Sequence, residues 1–204
     1  MTRKKLDLIF GLGGMLLALL LVVLGLVLRN QANFAKSYVR DQVSAQQINF
    51  TPVAGLSDEE KSASCLVKNA GKALTSGKQA ECYANEYIGF HVKGVNGGKT
   101  YSQTSGESRA ARGAADKALA ANPAAQSAKD LDVAAKTLAG KTHTLFEGET
   151  LRGLLLTSYG FSIFGERAGQ AATLAFLAAV VLLLASVAGL IHSMRKESDH
   201  LISV

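Results

Sequence analysis

The sequence has few residues of the kinds that usually carry chemistry. It has two cysteines and four histidines, and no histidine has a Cys, His or carboxylate partner at the spacing of a metal-ligand set. Nucleophile-elbow, kinase, zinc-protease and haem-attachment motifs are also missing. These absences predict a protein that is not an enzyme, with no cofactor, no metal and no small-molecule substrate.

Charge is missing from two long segments. Each segment has 21 residues without a charged side chain. The first covers residues 8–28 and includes ten leucines, and the second covers residues 171–191. At 1.5 Å per residue, either segment spans a bilayer core of about 30 Å as a helix. The alternative, a buried core helix, is disfavoured because such runs occur near both ends of the chain. Without an ionisable residue, these spans offer no ion or proton path, which argues against a transporter or pump.

The first apolar run is either a cleaved signal peptide or a retained anchor. Arg3-Lys4-Lys5 forms a basic leader, but the run exceeds the 7–15 apolar residues of a signal peptide, and residues 29–33 offer no small-x-small cleavage site. We therefore expect a retained anchor. Five basic residues flank the spans on each side, so a count of flanking charges does not decide the orientation. The first helix usually dominates the orientation, and the basic cluster before it then decides. It predicts a multi-pass plasma-membrane protein with both termini cytoplasmic.

The sequence thus predicts an all-α membrane protein with an extracytoplasmic helical domain between two transmembrane helices. The predicted parts are a cytoplasmic tail (1–7), a first span (8–28), the outer domain (29–167), a second span (168–191) and a second cytoplasmic tail (192–204). Between Arg29 and Arg167, 17 basic and 13 acidic residues are interspersed, which is typical of a solvated surface and not of a nucleic-acid partner. Membrane lipid is an expected partner.

The only two cysteines, Cys65 and Cys82, both lie in the predicted outer domain. An even pair outside the cell indicates a disulfide, which would stabilise the fold by about 3 kcal/mol on the chain-entropy model. Two unrelated buried thiols are the alternative.

The cysteines belong to a predicted helical hairpin. Ser57 and Glu60 form a capping box at the start of a helix that extends to about residue 74. Residues 75–77 break this helix, with Gly77 suited to a left-handed cap, and a second helix covers residues 78–92. Its stripe of Tyr83, Tyr87 and His91 is a candidate interface.

The second half of the outer domain is rich in alanine. We expect a loop over residues 95–106, helices over 107–121 and 126–138 with a stop at Gly140, and an amphipathic segment over 151–164 at the membrane interface. Glu149 and Arg152 are further candidate interface residues, with a solvated helix cap as the alternative.

Small residues recur along both predicted spans and suit close helix packing. The first span carries Gly11, Gly14, Ala18 and Gly25 on one face, and the second carries Ala171, Ala175 and Ala179. Plain composition is the alternative, and the spans are equally able to pair with each other or with foreign helices. Gly14, Ala18, Ala175 and Ala179 are candidate interface residues.

Two segments are more distinctive than composition: residues 77–91 (GKQAECYANEYIGFH) and residues 145–156 (LFEGETLRGLLL). With the two-anchor layout, they resemble the actinobacterial family of respiratory supercomplex association factors. The resemblance implies an accessory subunit of a cytochrome bc and aa3-type oxidase supercomplex, in contact with subunits of both complexes and without haem, copper or quinone of its own. A free-standing envelope protein whose outer domain binds a ligand or cell-wall component is the alternative, and an enzyme with an unrecognised site is a third.

Overall fold

The structure is a computed structural model that describes residues 3–195, a stretch that is almost entirely helical and contains no strand. The helices are α1 (Arg3–Ala45), α2 (Asp58–Ser62), α3 (Ser64–Asn69), α4 (Gly77–Cys82), α5 (Gly89–Gly94), α6 (Tyr101–Ala121) and α7 (Gln126–Arg195). The predicted C-terminal tail from residue 196 onward lies outside the described residues. The prediction of an all-helical chain is confirmed.

Shorter elements connect these helices. A π-helix, Tyr83–Ile88, joins α4 to α5, and 3-10 turns cover Val53–Gly55 and Val95–Gly98. The chain divides into two compact units, which we call the apolar unit (residues 1–38 and 163–204) and the central unit (residues 39–162). The central unit lies within the range that the sequence predicts for the outer domain.

In the apolar unit, the first part of α1 packs against the last part of α7. Both helices are long and apolar enough to cross a membrane, judged by length and composition. A Cβ atom added to Gly11 would lie 2.6 Å from the side chain of Leu190, and one added to Gly25 would lie 2.7 Å from the ring of Phe176. Glycine at these positions therefore allows the two helices to approach closely.

The small side chains of both helices are buried in this contact. The buried alanines are Ala18, Ala172, Ala175 and Ala179. The two predicted spans therefore pair with each other, a question that the sequence leaves open. Ala171, which the sequence places on the same stripe, is exposed, and Ala172 takes its position. Large side chains such as Leu16, Leu19 and Leu174 cover the outer surface of the pair.

The central unit is built around a small apolar core. The buried side chains come from α1, α7 and the part of the chain between residues 50 and 92. The largest are Phe50, Leu56, Leu66, Leu74, Ile88, Leu145 and Leu155. A disulfide joins Cys65 on α3 to Cys82 at the end of α4, with the two Cα atoms 6.1 Å apart. The predicted disulfide is thereby confirmed.

The predicted first helix of the hairpin is interrupted. Its capping box is confirmed, since Ser57 accepts from the amide of Glu60 and Glu60 accepts from that of Ser57, but helical structure ends at Asn69. Gly71 has a φ of +71°, and the following chain hydrogen-bonds to residues 48–50, with Leu74 N donating to Ile48 O. This tertiary pairing competes with the helix. Gly77 begins α4 after the N-cap Ser76 and does not form a left-handed cap.

Helix α6 also differs from its predicted limits. It begins at Tyr101, inside the predicted loop, because Thr100 and Gln103 form a second capping box.

The predicted stop at Gly140 is wrong, because α7 continues through this residue to Arg195. A glycine in a helix costs about 1 kcal/mol, which the packing of neighbouring turns offsets. One such turn contains Gly148, whose missing Cβ leaves space for the side chain of Val92.

Candidate interaction surface on the central unit

Four rings form a continuous row on the central unit, which we call the aromatic ladder: Phe50, Tyr83, Tyr87 and His91. The ring centroids of Phe50 and Tyr83 lie 5.3 Å apart in an edge-on arrangement. The next two separations are 4.7 Å for Tyr83 and Tyr87 and 4.6 Å for Tyr87 and His91. All three distances fall in the range of favourable ring pairs. The structure thus brings together the three residues that the sequence predicts as an interface.

The ladder runs from the core to the solvent. Phe50 is buried, Tyr83 and Tyr87 are half-buried against the core, and the His91 side chain is 59 % exposed. Burial raises the pKa of the Tyr83 hydroxyl, with a smaller contribution from Tyr87, so this group stays neutral and available as a hydrogen-bond donor. Both tyrosines are therefore packed against the core and remain partly accessible at the surface.

The π-helix determines where the ladder residues lie. In this segment the Gly89 amide donates to the carbonyl oxygen of Ala84, a hydrogen bond one residue longer than in an α-helix. Arg152 Nε on α7 donates to the same oxygen at 3.0 Å, while its Nη1 donates to Glu149 Oε2 at 2.8 Å. Glu149 and Arg152, predicted as interface residues, thus brace the π-helix, and the Arg152 side chain is only 26 % exposed.

A buried carboxylate lies at the solvent end of the ladder. The Glu60 side chain is 8 % exposed, and its Oε2 accepts from the Ser57 amide at 2.7 Å. Its Oε1 has no hydrogen-bond partner among the described residues, and His91 Nε2 lies 3.8 Å away. The sequence identifies Glu60 only as a capping residue, because a capping box gives no signal of what the second carboxylate oxygen faces.

A polar cleft of about 680 Å³ lies beside the disulfide. Asn69 and Gln79 are hydrogen-bonded within its wall, and Lys68, Lys78, Glu81 and Glu86 add charges of both signs. Sequence reasoning missed this cleft, because the segments that line it come together only through the Cys65–Cys82 bond and the interrupted first helix.

Ion pairs join α6 to the start of α7. Arg112 Nη1 donates to Asp132 at 2.7 Å, Arg112 also pairs with Asp116, and Lys136 Nζ lies 2.7 Å from Asp132. Lys136 and then Arg112 hold the pKa of Asp132 below its ordinary value, and Arg112 lowers that of Asp116. The side chains that these helices bury are small, with Ala115 on α6 and Ala128 and Ala135 on α7, so this end of the unit has ion pairs and few large apolar side chains.

The remaining predicted interface residues lie elsewhere. Gly14, Ala18, Ala175 and Ala179 belong to the α1–α7 contact of the apolar unit, where a Cβ on Gly14 would meet the side chain of Ser186. Within the described part of the chain, no group of three or more His, Cys, Asp or Glu residues lies close enough to hold a metal ion.

The fold and this surface define an all-helical protein with two helices able to cross a membrane and a disulfide-bonded central unit. No protein-family model, curated protein or solved structure matches the chain.

Proposed function

We propose that this protein is a non-catalytic accessory subunit that stabilises a larger membrane assembly, with its central unit outside the cytoplasm. The assembly that the sequence resemblance suggests is a respiratory cytochrome bc and aa3-type oxidase supercomplex. The observation that carries the proposal is the aromatic ladder, which is rooted in the core at Phe50 and reaches the surface at His91. Tyrosine, which supplies two of the four rings, is among the residues most often found as energetic anchors of protein interfaces.

Preorganisation makes the ladder suitable as a docking surface. Tyr83 and Tyr87 are held on both sides by ring neighbours, so little side-chain entropy remains to be lost when a partner binds. The π-helix beneath them is braced from α7 by Arg152. A partner would therefore meet a preorganised surface of partly exposed rings.

The apolar unit supports a membrane location. Its small residues are buried in the contact between α1 and α7, and leucine and valine side chains lie on the outside of the pair. Exposed apolar surface of this extent is favourable only against lipid or against the helices of a partner. The disulfide supports an extracytoplasmic central unit, because such bonds persist in oxidising compartments.

Purification of the tagged chain from its native membrane in a mild detergent tests the proposal. We expect the protein to migrate on a native gel together with the haem absorbance of the bc and oxidase complexes, and mass spectrometry should find their subunits in constant ratio. Migration alone, at the size of the isolated chain, would contradict the proposal.

The proposed topology needs a separate test. A membrane-impermeant maleimide applied to intact spheroplasts should label Ser127→Cys in the central unit and leave Ser203→Cys in the tail unlabelled until the membrane is opened. The opposite labelling pattern would invert the topology.

The polar cleft favours a second candidate, a free-standing envelope protein whose outer domain binds a ligand or a cell-wall component. The cleft has amide, hydroxyl and charged groups suited to a polar ligand. If this candidate is right, the chain should run alone on the native gel. The Lys78→Gln variant should then bind the ligand of the cleft more weakly than the wild-type protein. The two candidates therefore give opposite results in the same purification.

A further inference from the structure

We propose that the apolar unit has a binding site for one anionic phospholipid, with an acyl chain in a groove between α1 and α7 and the phosphate beside Arg29 and Lys36. The inference rests on the membrane location in the proposed function and does not depend on the accessory role. It combines three features of the apolar unit: the groove, two basic residues without ion-pair partners, and the distance between them.

A groove of about 500 Å³ lies along one side of the contact between α1 and α7. Its floor contains the buried Ala18 and Ala179, and its walls contain larger side chains such as Leu19, Phe176 and Val180. All the residues that line it are apolar. The groove exists because the alanines that allow the helices to approach each other lie between longer side chains on both of them.

The size of the groove fits a lipid chain better than a helix. The part of α1 that lines it, residues 15–22, extends over about 10 Å of helix at 1.5 Å per residue. The mean cross-section of the groove is then about 50 Å², whereas a helix with a diameter of about 10 Å has a cross-section of about 80 Å². A methylene group is roughly as large as a water molecule, about 30 Å³, so the groove accommodates about 17 methylene groups.

Two basic residues of α1 lie on the same side as the groove. Val22 lines the groove, and Arg29 and Lys36 follow it at intervals of seven residues. An α-helix drifts by only about 20° over seven residues, so these three side chains share one face of α1. Arg29 and Lys36 are exposed, and neither has an ion-pair partner among the described residues. Their charges are therefore available to an anion.

The spacing along α1 matches the length of a lipid in one leaflet. Leu19, near the middle of the groove, lies about 15 Å along the helix from Arg29. This distance is half of the hydrocarbon thickness of about 30 Å, so an acyl chain that begins at the level of Arg29 ends in the groove. The headgroup layer extends about 5–7 Å beyond the hydrocarbon, and Lys36 lies about 10 Å beyond Arg29. The two side chains therefore approach the phosphate from opposite sides of that layer.

The local charge favours an anionic lipid over a zwitterionic one. Residues 29–38 and 163–170, which form this end of the apolar unit, contain three basic residues and one acidic residue, Glu166. Each basic residue near a membrane surface strengthens binding to anionic lipid by about fivefold. A lipid whose headgroup has a net negative charge is therefore the preferred occupant.

Spin-labelled lipids in reconstituted vesicles test the site. The full chain is placed in phosphatidylcholine vesicles that contain a trace of labelled phosphatidylglycerol or of labelled phosphatidylcholine with the same chains, and electron paramagnetic resonance measures the immobilised fraction. We expect the wild-type chain to prefer phosphatidylglycerol by at least about fivefold, and the Arg29→Gln and Lys36→Gln double variant to lose this preference. Arg167→Gln is the control. Gly165 faces α1, and Arg167 lies two positions later on the opposite side of α7, where it donates to Gln170, so this variant should keep most of the preference.

A second pair of variants tests the groove itself. Val180→Phe places a ring in the groove from its wall, whereas Val181→Phe adds the same ring to the next residue, which does not line the groove and is 66 % exposed. We expect Val180→Phe to lower the immobilised fraction of phosphatidylglycerol by at least about threefold and Val181→Phe to match the wild-type chain. Circular dichroism of each variant confirms that the helices are retained.

The outcomes separate this inference from the proposed function. Equal immobilisation of the two lipids by the wild-type chain, or equal effects of Val180→Phe and Val181→Phe, would overturn the inference. A photoreactive residue in place of Val180 that crosslinks to a protein in native membranes, and not to lipid, would assign the groove to a partner helix and overturn it as well. If the chain migrates alone on the native gel and still selects phosphatidylglycerol, the accessory role fails and the lipid site stands. Release of the wild-type chain from membranes by alkaline carbonate would contradict the membrane location and the lipid site with it.

Discussion

Arg152 Nε donates a hydrogen bond of 3.0 Å to the carbonyl oxygen of Ala84, which lies 68 residues earlier in the chain. Ala84 is fully buried, and its oxygen already accepts from the Gly89 amide in the π-helix. A widened helical turn is a poor structure by itself, and it persists where surrounding contacts stabilise it. The Arg152 bond is such a contact, and it links α7 to the segment that carries Tyr83 and Tyr87.

Replacement of Arg152 by methionine should destabilise the central unit by about 2 kcal/mol, because a donor to a buried oxygen is lost while the length of the side chain is kept. Amide exchange at Gly89 should become faster in the same variant. Arg109→Met is the control, since Arg109 is exposed and donates to Ser105 one turn earlier on α6. Equal melting temperatures for the two variants would contradict the bracing role of Arg152.

Replacement of Tyr87 by alanine should weaken retention of the partner complex by about tenfold or more, since aromatic anchors dominate interface energies. The haem spectra of the complex should remain unchanged. Tyr101→Ala is a matched control, because Tyr101 pairs with Phe146 away from the ladder at a centroid distance of 5.8 Å. Tyr87→Phe distinguishes the ring from its hydroxyl. Equal retention of the Tyr87 and Tyr101 alanine variants would remove the ladder as a docking surface.

Removal of the disulfide by a Cys65→Ser and Cys82→Ser double substitution should lower the free energy of unfolding by about 3 kcal/mol, given a sequence separation of 17 residues. The loss should appear in the central unit and leave the α1–α7 pair helical. Unfolding followed by circular dichroism, with and without reductant, provides the measurement. A wild-type protein that is indifferent to reductant would show that the bond contributes little.

The ion pairs of Asp132 should make part of the stability depend on pH. Its folded-state pKa is lowered, first by Lys136 and then by Arg112, so its stabilising effect is present above the unfolded-state pKa and is lost as the pH falls through the folded-state value. Asp132→Asn should therefore melt below the wild-type protein at pH 7, and the difference should shrink towards pH 2. Added salt should also reduce it, because these side chains are near solvent. A difference independent of pH would point to packing instead of charge.

The sequence by itself determined the long apolar helices and the disulfide pair. Residues 8–28 are 21 residues without a charge, which is long enough to cross a bilayer as a helix, and the structure is helical throughout this segment. Two cysteines allow one pairing, so Cys65 and Cys82 left no choice of partner. The capping box at Ser57 was also predictable from the sequence, since it depends on two residues that lie three positions apart.

Tertiary contacts decided the features that depend on distant segments. The first helix of the hairpin ends early because residues 72–74 hydrogen-bond to residues 48–50, which no local pattern reveals. Helix α7 continues through Gly140 because packing elsewhere along the helix outweighs a local penalty of about 1 kcal/mol.

The candidate site divides in the same way. Tyr83, Tyr87 and His91 share a face at a helical spacing that is visible in the sequence. The bond from Arg152 to the π-helix under them, and the approach of the buried Glu60 carboxylate to His91, exist only once α2, α5 and α7 are brought together. Local spacing identifies side chains that share a face, whereas burial and the orientation of individual atoms are set by the segments that pack around them.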